Sequence, residues 1–298
     1  MRVHLKAALL AIAASVLALS PVLSGAMAWA LPPGAAEHHE IMFERGRGGM
    51  AVLEVALNGQ GPFRFAVDTG APGPLRLDTA VAEQLALRPV RHEAEGDGSG
   101  QNEFTVPVVE IARLGVGTFE KVGLEANVMD LRGRGFEFDG VFGMDAFAEH
   151  LLTIDYRNGK VAIDSGSLPP ANGRDIVDYE LTADGLIKLP VRIGRQTLAA
   201  YLDTGQTMTG ILVPEAVALA AAASAPTPAG QARTVSNSYP MFEVALDGSA
   251  SVAGILLPVQ RVRYPSIGAE ANIGSLALVG AVLRLDQRNR RLQILFAQ

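Results

Sequence analysis

Two acidic residues draw notice by where they fall. Asp68 ends the apolar run Phe65-Ala66-Val67 and is followed by Thr69-Gly70. Asp203 ends Ala200-Tyr201-Leu202 and is followed by Thr204-Gly205, 135 positions later. Such an apolar run reads as a buried strand, and the glycine permits a turn or a close backbone approach. A carboxylate at the end of a buried strand is poorly placed for solvation unless something binds there. A single Asp-Thr-Gly arises by accident in roughly one chain of this length in twenty at average residue usage. Two copies with matched lead-ins need a better explanation. If the two acids meet, both cannot carry charge cheaply, so they share one proton. The pair then acts as general base and general acid on one water molecule.

The elements around these acids are strands. Ala51–Leu57 and Phe63–Val67 flank Asn58-Gly59-Gln60-Gly61-Pro62, a hairpin pattern. Asp78 is placed to cap a short helix from Thr79 to Leu87. His92 to Asn102 reads as a loop or hairpin tip, and Phe104–Ile111 and Leu114–Phe119 as two further strands. Leu151 to Ile163 reads as a hairpin turning at Asn158-Gly159. Ser165 to Arg174, with Pro169-Pro170, is the best linker. Strands resume at Leu186–Ile193, a helix is expected at Glu215–Ala223, and strands follow at Met241–Leu246, Ala253–Val259 and Leu283–Phe296.

The first 30 residues are expected to stand apart from the folded body. Arg2 and Lys6 precede the apolar run Ala7–Leu19, and small residues then offer cleavage sites ending at Ala28 or Ala30. That order reads as an export signal; the competing reading, a membrane anchor, requires a longer apolar span. Export implies a periplasmic or secreted protein with no integral membrane segment once the signal is removed. The chain has no cysteine, so stability must come from a core rather than from disulfides. Net charge is −6, and loss of Arg2 and Lys6 makes it −8. No basic cluster interleaved with aromatics is present, which argues against nucleic acid as a partner. His38-His39-Glu40 matches no helical zinc spacing and reads as exposed polar chain. No metal and no other cofactor is expected.

The two halves run in the same order: strand, Asp-Thr-Gly, short helix, polar loop, strands, a hydrophobic-Gly element, a final hairpin. Gly143 is followed 12 positions on by Asp155, and Gly274 by Asp286 at the same interval. Around those acids the text reads Asp155-Tyr156-Arg157-Asn158 and Asp286-Gln287-Arg288-Asn289. An internal duplication accounts for this shared spacing of unlike residues. Duplicated halves pack about a pseudo-two-fold axis, which would set Asp68 and Asp203 face to face.

With these residues in view, the chain resembles the aspartic proteases, the pepsin and retropepsin superfamily, and most of all exported bacterial members with retropepsin-like halves. Val67-Asp68-Thr69-Gly70-Ala71 resembles the retroviral-type active-site loop. Val141-Phe142-Gly143, within Asp139–Asp145, is similar to the hydrophobic-Gly element beneath it. Leu202-Asp203-Thr204-Gly205 and Asn272-Ile273-Gly274-Ser275 are their partners. The resemblance implies an all-β, bilobal, pepsin-like acid-protease fold of two retropepsin-like β-barrel halves. The expected divisions are a signal at 1–30, a polar lead at 31–48 that reads as loop or an outer strand, a first lobe at 49–168, a linker at 169–180 and a second lobe at 181–298.

It further implies that Asp68 and Asp203 are catalytic and that Thr69, Gly70, Thr204 and Gly205 support the active-site loops. Val141, Phe142, Gly143, Ile273 and Gly274 would form the packing elements, and Gly96, Asp97, Gly98, Ser99 and Gly100 a flap. Ala229 to Tyr239 is the equivalent stretch in the second half. Ala71 and Gln206 stand where pepsin-type enzymes carry a hydroxyl, and no tyrosine lies between His92 and Phe119. A hydroxyl there would favour ionisation, so its absence implies activity at mildly acidic to neutral pH. The activity implied is an aspartic endopeptidase, working as a monomer on peptide or protein substrates. The alternative is a catalytically inactive peptide- or polymer-binding protein of the same fold. Phe104, Phe136, Met208 and Tyr239 are candidates for the walls of a cleft. No Gly-x-Ser-x-Gly elbow is present for a serine triad.

Overall fold

The computed structural model describes residues 37–96, 103–233, 238–267 and 270–296. The expected leader, residues 1–30, lies outside them. The described chain is built mainly of strands. Ala51–Leu57 and Gln60–Val67 form a hairpin closed by Asn58 and Gly59, whose φ values are 50° and 79°. A two-residue turn with both φ positive follows the natural twist of paired strands. Within the hairpin Leu53, Val55, Phe63, Phe65 and Val67 are buried and Glu54 is exposed, the alternation of a sheet with one face on a core.

The strand ending at Val67 runs parallel to Gly140–Phe142. That strand is antiparallel to Leu75–Asp78, which in turn runs parallel to Phe119–Met129. Glu103–Val116 and Pro89–Gly96 complete the order, and Ala51–Leu57 also pairs with Glu103–Val116, curling the sheet onto itself. A second sheet repeats this arrangement. Its strands Ile187–Ile193, Gln196–Asp203, Ala271–Gly274, Ile211–Leu212, Arg261–Pro265, Ser238–Ala245 and Thr227–Arg233 follow one another in the same order. Each neighbouring pair also has the same parallel or antiparallel sense as its counterpart.

Two local expectations are corrected. The stretches Phe104–Ile111 and Leu114–Phe119 are not separate strands, because one strand continues to Val116 and the turn falls at Gly117, with φ 57°. The helix from Glu215 ends at Ala220, short of Ala223, where Ala222 leaves to bridge Leu246. The helix after Asp78 runs Thr79–Gln84, capped by the Asp78 side chain, which accepts the N–H of Ala80 at 3.0 Å.

A third sheet joins the two systems. Its order is His38–Met42, Lys160–Asp164, Leu151–Asp155, Ala281–Asp286, Arg291–Phe296, Ile176–Asp178. Residues 38–42 are thus an edge strand, and part of the stretch 169–180 is a strand at the opposite edge. In the middle pair Leu151 faces Asp286, Thr153 faces Arg284 and Asp155 faces Val282. Asp286 follows Asp155 by 131 positions, and Arg284 follows Thr153 by the same interval. The register is therefore two-fold about Thr153 and Arg284, equivalent residues that face each other.

The repeated Asp-x-Arg-Asn sequences close the hairpins of this sheet. Asp155 accepts the backbone N–H groups of Arg157 and Asn158, both at 3.0 Å, and the Asn158 amide at 2.7 Å. Asp286 holds Asn289 similarly and also accepts the N–H of Leu168 at 2.8 Å. The arginines cross over. Arg157 donates to the carbonyls of Gly280 and Leu295, and Arg288 to those of Ser165 and Gly166.

Candidate active site

Each Asp-Thr-Gly begins where a central strand ends, and the two turns interlock. The N–H of Thr69 donates to Oγ1 of Thr204 at 3.0 Å, and the N–H of Thr204 donates to Oγ1 of Thr69 at 3.0 Å. Each hydroxyl in turn donates across the seam, Thr69 to the Leu202 carbonyl and Thr204 to the Val67 carbonyl, both at 2.8 Å. Both threonines are fully buried. This closed ring of four hydrogen bonds satisfies buried backbone groups that would otherwise lack partners.

The glycines let the acids close in. A Cβ at Gly70 would stand 2.4 Å from Cγ of Asp203, and one at Gly205 would stand 2.3 Å from Oδ2 of Asp68. Each carboxyl therefore lies against the opposite turn's glycine. Beneath them Gly143 donates to the Pro74 carbonyl at 3.0 Å and Gly274 to the Gly210 carbonyl at 2.8 Å. A side chain at Gly143 would meet the Gly73 carbonyl oxygen at 2.1 Å, and one at Gly274 the Thr209 carbonyl oxygen at 2.4 Å. The hydrophobic-Gly elements thus pack directly under the two turns, with Phe142 and Ile273 in the core and Val141 buried.

The carboxyls are held differently. Oδ1 of Asp68 accepts the N–H groups of Gly70 at 2.8 Å and Gly205 at 3.1 Å. Oδ1 of Asp203 accepts the N–H of Gln206 at 2.9 Å, and its Oδ2 accepts Nδ2 of Asn272 at 2.6 Å. Loss of water on burial, followed by the charge of Asp203, pushes Asp68 up to about 7; the Gly70 N–H and the Arg76 guanidinium pull the other way. Gln206 turns its side chain onto its own loop. Its Oε1 accepts the N–H groups of Met208 and Thr209, and its Nε2 donates to the Thr209 carbonyl.

Nothing in the sequence marks Asn272 for chemistry, or Arg76 at all. Nη2 of Arg76 lies 3.3 and 3.2 Å from the two oxygens of Glu95, and Asn127 donates to Glu95 at 2.7 Å. Glu95 belongs to one arm of a hairpin, Pro89–Gly96 against Glu103–Val116. Gly96 ends that arm. Asp97, Gly98, Ser99 and Gly100, the rest of the expected flap, lie outside the described residues. The second hairpin, Thr227–Arg233 against Ser238–Ala245, occupies the equivalent place and holds Tyr239.

Beside the first turn, Ala71 and Val141 adjoin a small apolar cluster of Met50, Val106, Met129 and Phe138, with Phe104 packed against it. Phe136 is 46% exposed and stacks on Phe138. Met208 is half-buried. Two surface hollows of about 440 and 480 Å³ are lined by other residues and hold neither aspartate. Among the described residues no three His, Cys, Asp or Glu side chains gather as metal ligands.

Residues 53–146, which carry Asp68 and the first hydrophobic-Gly element, match a family model described as aspartyl protease. A retropepsin-like aspartic protease from Rickettsia conorii, known from its crystal structure, is similar at 18% identity. The match covers 44% of this chain and 93% of that one, with a TM-score of 0.33. No curated protein matches the chain. The family match thus makes residues 53–146, with Asp68 and the first hydrophobic-Gly element, similar to the aspartyl proteases.

Proposed function

We propose that this protein is an aspartic endopeptidase that hydrolyses peptide bonds with a water molecule activated between Asp68 and Asp203. The observation that carries this reading is the approach of two carboxyls, each against the other turn's glycine, with Asp68 raised toward neutrality. In the hydrolytic step the charged aspartate takes a proton from water as its oxygen bonds to the carbonyl carbon. The protonated aspartate gives its proton to the carbonyl oxygen. Collapse of the resulting diol breaks the carbon–nitrogen bond, with a proton passing to the leaving nitrogen. Both halves lie in one chain, so the active unit is a monomer. Residues 1–30 direct export.

Incubation with a broad peptide mixture tests this reading. Wild-type protein is expected to cleave internal bonds, and Asp68→Asn or Asp203→Asn to lower kcat by about 10³-fold or more. A statine-type transition-state mimic should inhibit the wild type. Peptide binding without turnover, unchanged by Asp68→Asn, would replace the enzyme with a binder.

A further inference from the structure

The two halves depart from symmetry where they touch the carboxyls. Asn272 in the strand Ala271–Gly274 corresponds to Val141 in Gly140–Phe142, since Ile273 pairs with Leu202 as Phe142 pairs with Val67. Valine has no donor to offer. We propose that Asn272 is a positioning residue that breaks the symmetry of the aspartate pair, holding Asp203 as the resting carboxylate and leaving the shared proton on Asp68. This rests on the hydrolytic reading above and adds to it which acid plays which part: Asp203 the base toward water, Asp68 the acid toward the carbonyl.

The hydrogen bonds divide accordingly. Both oxygens of Asp203 accept N–H groups, Oδ1 from Gln206 and Oδ2 from Asn272 at 2.6 Å. Both donors to Asp68 fall on Oδ1, so among the described residues its Oδ2 receives no N–H and is the oxygen suited to carry a proton. Donors to an ionised carboxylate are stronger than neutral pairs and favour the charged form. The strand holding Asn272 is pinned on both sides, since Asn272 pairs in register with Tyr201 and with Leu212. Its Oδ1 is buried without a partner. Turning the amide over would set that oxygen against Asp203, tolerable only if Asp203 carried the proton. With Nδ2 on Oδ2 and the Gln206 N–H on Oδ1, both oxygens of Asp203 are given donors, which favours its charged form.

Other charged and titratable groups near the pair do not reverse this. Arg76 favours an ionised Asp68, but both oxygens of Glu95 largely offset its charge. Tyr156 is kept neutral by burial. Lys188, Glu270 and Tyr201 satisfy one another further up the second half's strands, with Lys188 3.0 Å from Glu270 and 4.4 Å from the Tyr201 ring centre.

The experiment is a carboxyl titration of the whole protein labelled with ¹³C at aspartate Cγ, the signals assigned from their loss in Asp68→Asn and Asp203→Asn. In wild type, Asp203 is expected to ionise at the lower step and Asp68 at the higher. Asn272→Leu keeps the shape and removes the donor, and Asn272→Val installs the first half's residue. Either should raise the Asp203 step, and the acid limb of kcat/KM with it, by about one pH unit, a tenfold loss of kcat/KM on that limb. Asp68 ionising first in wild type, or an Asp203 step unmoved in both variants, overturns the assignment. The wild-type titration stands even if neither variant folds. The expected order of ionisation with no peptide cleavage would sink the protease reading and leave the role of Asn272 intact.

Discussion

At Asp68 the pH dependence of folding has a definite sign. Its folded pKa, about 7, lies above the ordinary 3.8, so between those values the native state keeps a proton that the unfolded chain has released. Stability from this group is full below about pH 4 and is lost as the pH rises through 7. Thermal melts should therefore show a falling Tm between pH 4 and 7.5. Asp68→Asn, which cannot ionise, should melt about 5 °C higher than wild type at pH 7.5 and close to it at pH 4. The threonine ring gives a second expectation. Thr204→Val keeps the shape but strands the Thr69 N–H and loses the donor to the Val67 carbonyl, which should cost about 3 kcal/mol in urea unfolding. The aspartates and threonines were legible in the sequence because their repetition and spacing mark them. Asn272 was not, because its role depends on a through-space approach to a residue 69 positions away. Arg76 was hidden for the same reason: neither it nor Glu95 has a repeated counterpart.

At the scale of elements, the glycines under the turns and the ion pair under the hairpin are the points of least tolerance. Gly143→Ala would drive a methyl into the Gly73 carbonyl and push the first turn away from the second. Its kcat should fall by about 10²-fold or more while the far-ultraviolet spectrum stays that of a β protein. The Arg76–Glu95 pair is mostly buried, with 13% and 11% of the side chains exposed. Glu95→Ala strands a buried guanidinium and should cost about 3 kcal/mol. Arg76→Met removes the cation that favours an ionised Asp68, so the basic limb of the pH–rate profile should move upward. The hairpins at Asn58-Gly59 and Asn158-Gly159 and the Asp78 cap could be read locally, since turn and cap chemistry lies in adjacent residues. The edge strand His38–Met42 could be read only as loop or an outer strand, with nothing local to decide between them. Its partner, Lys160–Asp164, lies some 120 residues away, and its alternating exposure gave it the look of polar chain.

Over the whole molecule, the sheet shared by both strand systems governs how the aspartates meet. Crossed arginines reinforce that sheet: Arg157→Ala and Arg288→Ala together should loosen it and lower Tm more than either alone. Because the middle strands pair equivalent positions, Leu151–Asp155 is compatible with a copy of itself: a second such strand would set Thr153 opposite Thr153 and Leu151 opposite Asp155. The corresponding strand Ala281–Asp286 would instead set Arg284 against Arg284, two like charges at the centre. Produced separately, residues 36–168 should therefore associate into a two-copy particle in sedimentation, while residues 169–298 should stay apart or aggregate without a defined stoichiometry. Mixing the pieces should favour the mixed pair over either like pair. One basic side chain on the seam would thus sort partners, making the covalent tether a convenience rather than a necessity.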